Sequence, residues 1–223
     1  MESRVASKDE LVGEGVACRR GERLVFIGLD FRLPAGGALV LRGSNGSGKS
    51  SLLRLLATLL APEAGRILWR GLPLSGDAAR YRAAIHYVGH LDATKPALTP
   101  REMLAFWARL RGSAAPAIEP ALAAFALQAV ADRPCRWLSA GQRRRLALAR
   151  LVAAPAPIWL LDEPNAALDS DGEARLATLI AEHRAAGGRV AVATHQPVPP
   201  GDAVVIVLDD FAASADAALA SWQ

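Results

Sequence analysis

A glycine-rich segment, residues 43–50, combines the residue types that hold phosphate groups in proteins. Its glycines let the backbone curl so that several N–H groups point inward at phosphate oxygens. Lys49 adds a positive charge for the outer phosphates, and the Ser50 hydroxyl is a magnesium ligand in this pattern. The predicted site for a nucleotide and Mg²⁺ comprises Gly43, Ser44, Asn45, Gly46, Ser47, Gly48, Lys49, Ser50 and the adjacent Ser51.

The residues on either side of this loop predict the elements that position it. Residues 38–41 are all apolar, which is typical of a buried strand, and residues 51–57 have the pattern of a helix. A helix N-terminus carries a partial positive charge that favours a bound phosphate. The order strand, loop, helix therefore supports nucleotide binding beyond the bare pattern.

A second chemical group follows another apolar run. Residues 158–161 predict a buried parallel strand, and Asp162 and Glu163 come directly after it. Open parallel sheets place ligands at the carboxyl ends of their strands. Asp162 is thus expected to reach the magnesium shell, and Glu163 to act as a general base toward water.

Residues 138–142, Leu-Ser-Ala-Gly-Gln, stand at a predicted turn into an arginine-rich helix. Here the chain resembles the ATP-binding cassette family, whose signature is Leu-Ser-Gly-Gly-Gln; Ala140 is a mild departure. The resemblance implies that Ser139, Gly141 and Gln142 contact the γ-phosphate of ATP held by the opposite subunit of a homodimer. A generic helix cap is the alternative interpretation.

Two further segments extend the resemblance. Asp169 ends an Ala-Leu-Asp sequence six residues after Glu163, which resembles the loop that runs along the dimer interface in that family. His195 follows a predicted strand and is followed by Gln196 and Pro197. A lone histidine after a strand is usually structural, but the resemblance implies a switch histidine that contacts the γ-phosphate.

The resemblance implies an α/β fold of the P-loop NTPase class: a nucleotide-binding domain with a RecA-like core, an antiparallel β subdomain and a helical subdomain. The domain is expected to span residues 12–210, with the helical subdomain at about 90–140 and extensions at 1–11 and 211–223.

Thr99, Pro100 and Glu102 predict a helix start, and residues 112–116 predict a flexible break. A further helix is predicted over 173–186. One apolar face of the first helix is predicted from Met103, Phe106, Trp107 and Leu110.

Two positions depart from the usual cassette pattern. Most cassettes have a glutamine after the strand that ends at Val88, where this chain has Gly89 and His90. Imidazole is a poor magnesium ligand compared with oxygen, so His90 is expected to act through water or as a coupling element. The aromatic residue that usually stacks on adenine is replaced by Arg20, whose guanidinium can also stack on a base.

The sequences around these motifs look like one subgroup, the haem exporter ATPases of cytochrome c biogenesis. That resemblance implies a peripheral subunit on the cytoplasmic side of the inner membrane, paired with itself and with integral membrane subunits. ATP and Mg²⁺ are the implied ligands. The chain has no Cys-x-x-Cys-His sequence for haem attachment, so haem would be handled by partners.

Bulk composition excludes several classes of protein. The 223 residues fit one α/β domain or a core with a small subdomain, and no apolar run approaches the ~18 residues of a membrane span. The sequence shows no secretion signal, so a cytoplasmic protein is expected. Cys18 and Cys135 lack metal-binding spacing and are expected to be ordinary thiols. The net charge of +4 reflects general arginine usage rather than a nucleic-acid surface, and a basic surface near anionic lipid headgroups is a second interpretation.

Three alternatives to a haem exporter ATPase stay open. The chain could serve another ABC exporter, because only residues 89–90 and the flanking sequences favour haem. A soluble cassette protein acting on ribosomes or DNA usually carries two cassettes or long inserts, which this chain lacks. A P-loop kinase would lack the signature at residues 138–142.

Overall fold

The computed structural model describes residues 9–113, 117–195 and 202–212. Nine strands lie in these ranges: β1 (Glu10–Arg20), β2 (Arg23–Pro34), β3 (Ala38–Arg42), β4 (Ala64–Trp69), β5 (Leu72–Pro73), β6 (Ile85–Val88), β7 (Ile158–Asp162), β8 (Arg189–Ala193) and β9 (Val204–Val207). The α-helices of the same ranges are α1 (Lys49–Leu56), α2 (Ala78–Ala83), α3 (Pro100–Leu110), α4 (Ile118–Ala124), α5 (Ala140–Ala153) and α6 (Ser170–Ala185). Short 3-10 helices occupy Gln128–Val130, Cys135–Trp137 and Leu208–Phe211.

Some sequence-based predictions fall partly or wholly outside these ranges. They are the terminal extensions, the break at residues 112–116, and Gln196 with Pro197. Strand β1 begins at Glu10, which lies within the predicted N-terminal extension of residues 1–11. Strand β9 ends at Val207, four residues before the predicted C-terminal extension begins.

A parallel sheet of five strands, in the order β6-β7-β8-β3-β9, forms the centre of the molecule. Strands β7 and β8 are buried along their whole length, which explains the continuous apolar runs that predicted them. In the register of the sheet Ala193 lies beside both Asp162 and Leu41. The ends of β3, β7 and β8 therefore meet at one edge, where the phosphate loop begins.

A second sheet is antiparallel and has the strand order β2-β1-β4-β5. Its strands all come from the N-terminal part of the sequence. Strand β2 runs without interruption from Arg23 to Pro34. The pairing of β1 with β2 shifts between Phe26 and Leu29, and Gly28 has φ +68° there. A glycine in this conformation absorbs the extra residue of a β-bulge, so the strand continues through it.

Helix α3 confirms the predicted start: Thr99 and Glu102 form a reciprocal capping box, with Pro100 as the first helical residue. The predicted single apolar face is wrong. Met103 and Trp107 are buried, whereas Phe106 and Leu110 are 43% and 74% exposed, because the buried stripe runs through Leu104 and Ala108 instead. The helix thus leaves a second apolar strip, Phe106 and Leu110, on the surface.

Other element boundaries differ from the sequence-based ones. Helix α6 begins at Ser170, three residues before the predicted start, because the Asp169 carboxylate caps it by accepting the Gly172 N–H at 3.0 Å. Helix α2 was not predicted at all; Asp77 caps it by accepting from the Arg80 N–H. A helix of six residues shows too little periodicity to be recognised.

Both faces of the parallel sheet are covered. Leu39 and Leu41 point into the core shared with α1 and the antiparallel sheet, while Val40 packs with the helices α3 to α6 on the other face. Cys18 and Cys135 are buried free thiols, one in each core. In the described ranges, none of the helices has the length and apolar character needed to cross a membrane.

Candidate nucleotide-binding site

The loop between β3 and α1 is shaped by glycine. Gly48 caps α1 with φ +108°, and a Cβ there would lie 2.8 Å from Val25 Cγ1 and 2.9 Å from Phe26 Cδ1. Only glycine fits this close approach to β2. No side chain caps α1, so the N–H groups of its first turn stay available to an anion at the loop.

Lys49 is held inside the loop that it belongs to. Its Nζ donates to the carbonyl oxygens of Gly43 at 2.8 Å and Ser44 at 3.0 Å, and the residue is only 8% exposed. The loop therefore curls around the ammonium group. A phosphate entering the loop meets a cation that is already positioned.

Ser50 and Asp162 come together from residues far apart in the sequence. The Ser50 hydroxyl donates to Asp162 Oδ1 at 3.0 Å, and Asp162 is buried at the end of β7. A hydroxyl and a carboxylate side by side offer oxygen ligands of the kind that Mg²⁺ prefers. The donor set thus fits the predicted metal.

Glu163 and His195 leave neighbouring strands and face each other. His195 Nε2 lies 3.5 Å from Glu163 Oε1. The Glu163 N–H donates to the Ala193 carbonyl at 2.9 Å, and Glu163 has the left-handed φ of +47°. Backbone strain of this kind is held in place only by surrounding structure and concentrates at functional sites. Glu163 thereby lines the same cavity as the phosphate loop.

These groups share one cavity of about 490 Å³. Predicted residues on its wall are Arg20, Asn45, Gly46, Gly48, Lys49, Ser50, Ser51, His90, Asp162, Glu163 and His195. Gly43, Ser44 and Ser47 belong to the loop but are not on the cavity wall. Arg23 and Val25 also line the cavity and were missed. Arg23 pairs with Arg20 across the β1–β2 turn, so the hairpin places both arginines on the same side of the cavity wall.

The signature residues lie away from this cavity. Ser139 is exposed and caps α5: its hydroxyl accepts the Gln142 N–H at 3.1 Å, and Gln142 Oε1 accepts the Ser139 N–H at 2.9 Å. A Cβ on Gly141 would meet the Ala167 carbonyl at 2.9 Å. The generic cap considered for this segment is therefore present, whatever else the segment does.

Asp169 contacts helix α5, which begins at the signature, and does not line the cavity. Its carboxylate pairs with Arg145 of α5 and caps α6. The hydrogen bond from the Gly172 N–H, followed by that from Arg145, lowers the pKa of this exposed carboxyl. Within one chain, Ser139, Gly141, Gln142 and Asp169 form a separate surface.

Arg144 is the functional candidate that the sequence did not single out. Its buried guanidinium donates to the carbonyl oxygens of Gly89 (2.9 Å), Asp162 (2.8 Å), Glu163 (2.6 Å) and Pro164 (3.1 Å), and to Asp92 Oδ1 (3.3 Å). It thus connects the signature helix, the acidic strand end and the loop of His90. Three consecutive arginines hide which one faces inward, so no sequence signal distinguished it.

Fold and site together define a P-loop ATPase of the ATP-binding cassette type. The family described as ABC transporter matches residues 26–166. An ABC transporter ATP-binding protein from Pyrococcus furiosus superposes with a TM-score of 0.81 at 23% identity, covering 92% of this chain and all of that one. The ATP-binding cassette MJ0796, in a dimeric post-hydrolysis structure bound to ADP and Pi, gives 0.78 at 23% identity, covering 89% and 94%.

Closer relatives share much more of the sequence. The cytochrome c biogenesis ATP-binding export protein CcmA of Rhodospirillum rubrum is 58% identical over 90% of this chain and 86% of its own length. The protein of the same name from Paramagnetospirillum magneticum is 51% identical over 89% of this chain and 94% of its own length. The chain belongs to the ABC transporter family and, within it, to the CcmA group of cytochrome c biogenesis ATP-binding export proteins.

Proposed function

We propose that this chain is the ATP-hydrolysing subunit of an exporter that handles haem during the maturation of c-type cytochromes. The observation that carries the proposal is the cavity in which Lys49, the Ser50–Asp162 pair and the Glu163–His195 pair converge. The names of the relatives, at up to 58% identity, support the cytochrome c context.

In this proposal the phosphates of ATP lie in the loop of residues 43–50. Lys49 and the first N–H groups of α1 bind their oxygens, and Arg20 stacks beneath the base. Ser50 and Asp162 would hold Mg²⁺, which when bound neutralises charge that develops on the phosphate oxygens.

Glu163 acts as the general base in the proposed hydrolysis. Its carboxylate accepts a proton from the water that attacks the γ-phosphorus, and ADP is the leaving group. His195, at 3.5 Å, orients that carboxylate and contacts the γ-phosphate. His90 lies on the cavity wall, and in this proposal its movement with the bound nucleotide changes the position of the exposed loop that follows it.

The active form is proposed to be a homodimer with two composite sites. Ser139 is exposed and outside the cavity of its own chain, which supports its use by a second copy. The capping box uses the Ser139 oxygen as an acceptor, so the O–H can still donate to a γ-phosphate. Gln142 and Asp169 lie on the same surface and would face the partner.

Membrane subunits are the proposed partners at the cytoplasmic side of the inner membrane. The exposed apolar strip of Phe106 and Leu110 on α3, and Leu91 with 82% exposure beside His90, support such a contact. Large apolar side chains exposed together commonly mark interaction sites.

A deletion and complementation experiment tests the haem assignment. Loss of the gene is expected to abolish covalent haem attachment to c-type cytochromes, measured by haem staining of membrane proteins. The wild-type gene should restore it, whereas a Lys49→Ala variant expressed at the same level should not. Intact haem attachment in the deletion strain would refute the assignment without touching the ATPase chemistry.

A further inference from the structure

The 3-10 helix Leu208–Phe211, which follows β9, makes a direct contact with the phosphate loop. Asp209 Oδ2 accepts the Ser44 N–H at 2.8 Å, and Asp209 Oδ1 accepts the Ser44 hydroxyl at 2.6 Å. An ionised carboxylate is purely an acceptor, and Ser44 presents two donors to it. One side chain thus fixes both the backbone and the side chain of the second loop residue.

Asp209 is itself held firmly by both sheets. The strand before it, β9, pairs with β3, so that Val207 lies beside Arg42 at the entrance of the loop. Leu208 is fully buried, and Ala212 forms a β-bridge with Phe26 of β2. The carboxylate therefore projects from a segment that is joined to both sheets, on either side of Asp209.

The loop is confined on its other side as well. Gly48 packs against Val25 and Phe26 of β2, with no room for a Cβ. At the entrance, a Cβ on Gly43 would lie 3.1 Å from Asp209 Oδ2, and φ there is +141°. The loop is thus set between β2 and Asp209, and the Ser44 carbonyl in between accepts from Lys49.

We propose that Asp209 is a positioning residue for nucleotide binding: its two hydrogen bonds to Ser44 pre-organise the entrance of the phosphate loop. Asp209 lies outside the cavity wall and outside the residues matched by the family, 26–166. A loop that is already ordered loses less conformational freedom when it binds phosphate. The inference rests on the proposed binding of ATP at this loop.

The charge of Asp209 and its geometry can be separated by substitution. Asp209→Ala removes both acceptors. Asp209→Asn keeps both contacts without the charge, because its amide oxygen can accept the Ser44 N–H while its NH₂ donates to the Ser44 oxygen. Asp210→Ala, a neighbouring exposed carboxylate, is the matched control.

The experiment measures the Kd for Mg·ADP by calorimetry, and the kcat and KM for ATP, on the full-length chain. Asp209→Ala is expected to raise Kd and KM about tenfold, the range of one hydrogen bond to a charged group, with kcat changed less than about twofold. Asp209→Asn should recover most of the affinity, and Asp210→Ala should bind like wild type. Ser44→Ala, which removes one of the two bonds, should give a smaller loss in the same direction even if Asp209→Ala does not fold.

Three results would overturn the inference. Wild-type affinity in Asp209→Ala and Ser44→Ala would show that the contact does not position the loop. Equal losses in Asp209→Asn and Asp209→Ala would assign the effect to charge instead. Failure of the unmodified chain to bind ADP would refute the proposed function and the inference together, which distinguishes it from the other two results.

Discussion

At the scale of single residues, the site depends on side chains that the motifs do not include. Arg144 ties the carbonyl groups of Asp162, Glu163 and Gly89 to helix α5. A buried carbonyl that loses its donor keeps its desolvation penalty, so this arginine cannot be removed without cost. The backbone of Glu163 is therefore held by a helix that begins at the signature.

Replacement of Arg144 by methionine is expected to lower kcat at least tenfold and the free energy of unfolding by about 2–4 kcal/mol, because four buried or half-buried carbonyls lose their partner. Steady-state ATP hydrolysis and urea unfolding measure the two effects. Arg175→Ala is the control, since its exposed pair with Asp171 contributes little. Unchanged kcat in a folded Arg144→Met protein would contradict the role given to Arg144.

The residues of the site were predictable where local sequence determines local structure. The loop glycines, Lys49 and Ser50 follow from one short pattern, and Asp162 and Glu163 follow from a strand end. Arg144 and Asp209 were not predictable. Asp209 is 165 residues from its partner Ser44, and no short pattern encodes a contact at that separation.

At the scale of elements, continuous apolar runs and capping residues carried most of the information. The structure confirms the predictions of β7, β8 and the start of α3. Burial of a strand and capping of a helix depend on residues that are adjacent in the sequence, so the sequence alone indicates them. Helix α2 and the exposed strip of Phe106 and Leu110 could not be foreseen. Which apolar side chains of α3 face the core depends on the helices packed against it, α4 and α5.

Strand β6 carries a buried titratable group that joins it to the end of α5. His86 is 4% exposed, and its Nε2 donates to the Ala154 carbonyl at 2.5 Å. Burial, and secondarily the positive charge of Arg111, lower the pKa of His86 from its ordinary 6.5 to about 3. The unfolded chain binds this proton below pH 6.5 and the folded chain does not, so stability falls as the pH drops from about 6.5 toward 3.

The free energy of unfolding is expected to lose about 1.4 kcal/mol per pH unit from His86 alone within that interval. His86→Gln retains a donor for the Ala154 carbonyl but does not titrate. Between pH 7.5 and pH 5.0, urea unfolding should thus show a loss that is about 2 kcal/mol smaller in His86→Gln than in wild type. Identical pH dependence in the two proteins would contradict a buried neutral histidine.

At the scale of the whole molecule, one chain carries two separate surfaces, and the proposed function uses both. The cavity holds the groups that we propose for binding and hydrolysis, and Ser139, Gly141 and Asp169 lie outside the lining of that cavity in their own chain. The sequence contained both halves, and the resemblance to cassette ATPases indicated that they belong to different copies. In a single chain the two surfaces are separate, and in the proposed dimer each cavity would face the signature surface of the other copy.

The Glu163→Gln variant tests the central claim, a composite ATP site in which Glu163 is the base. The amide keeps the shape of the side chain but cannot accept a proton from water, and general base catalysis supplies about 10²–10⁴-fold in rate. Glu182→Gln, on the exposed surface of α6, is the matched control and should behave like wild type.

The decisive measurement is ATP turnover of Glu163→Gln together with its mass in solution by sedimentation, with and without ATP. The account predicts that the variant binds ATP, that turnover falls at least about 100-fold, and that ATP converts the chain to a stable dimer. Turnover close to wild type, or a variant that binds ATP and remains a monomer, would contradict it.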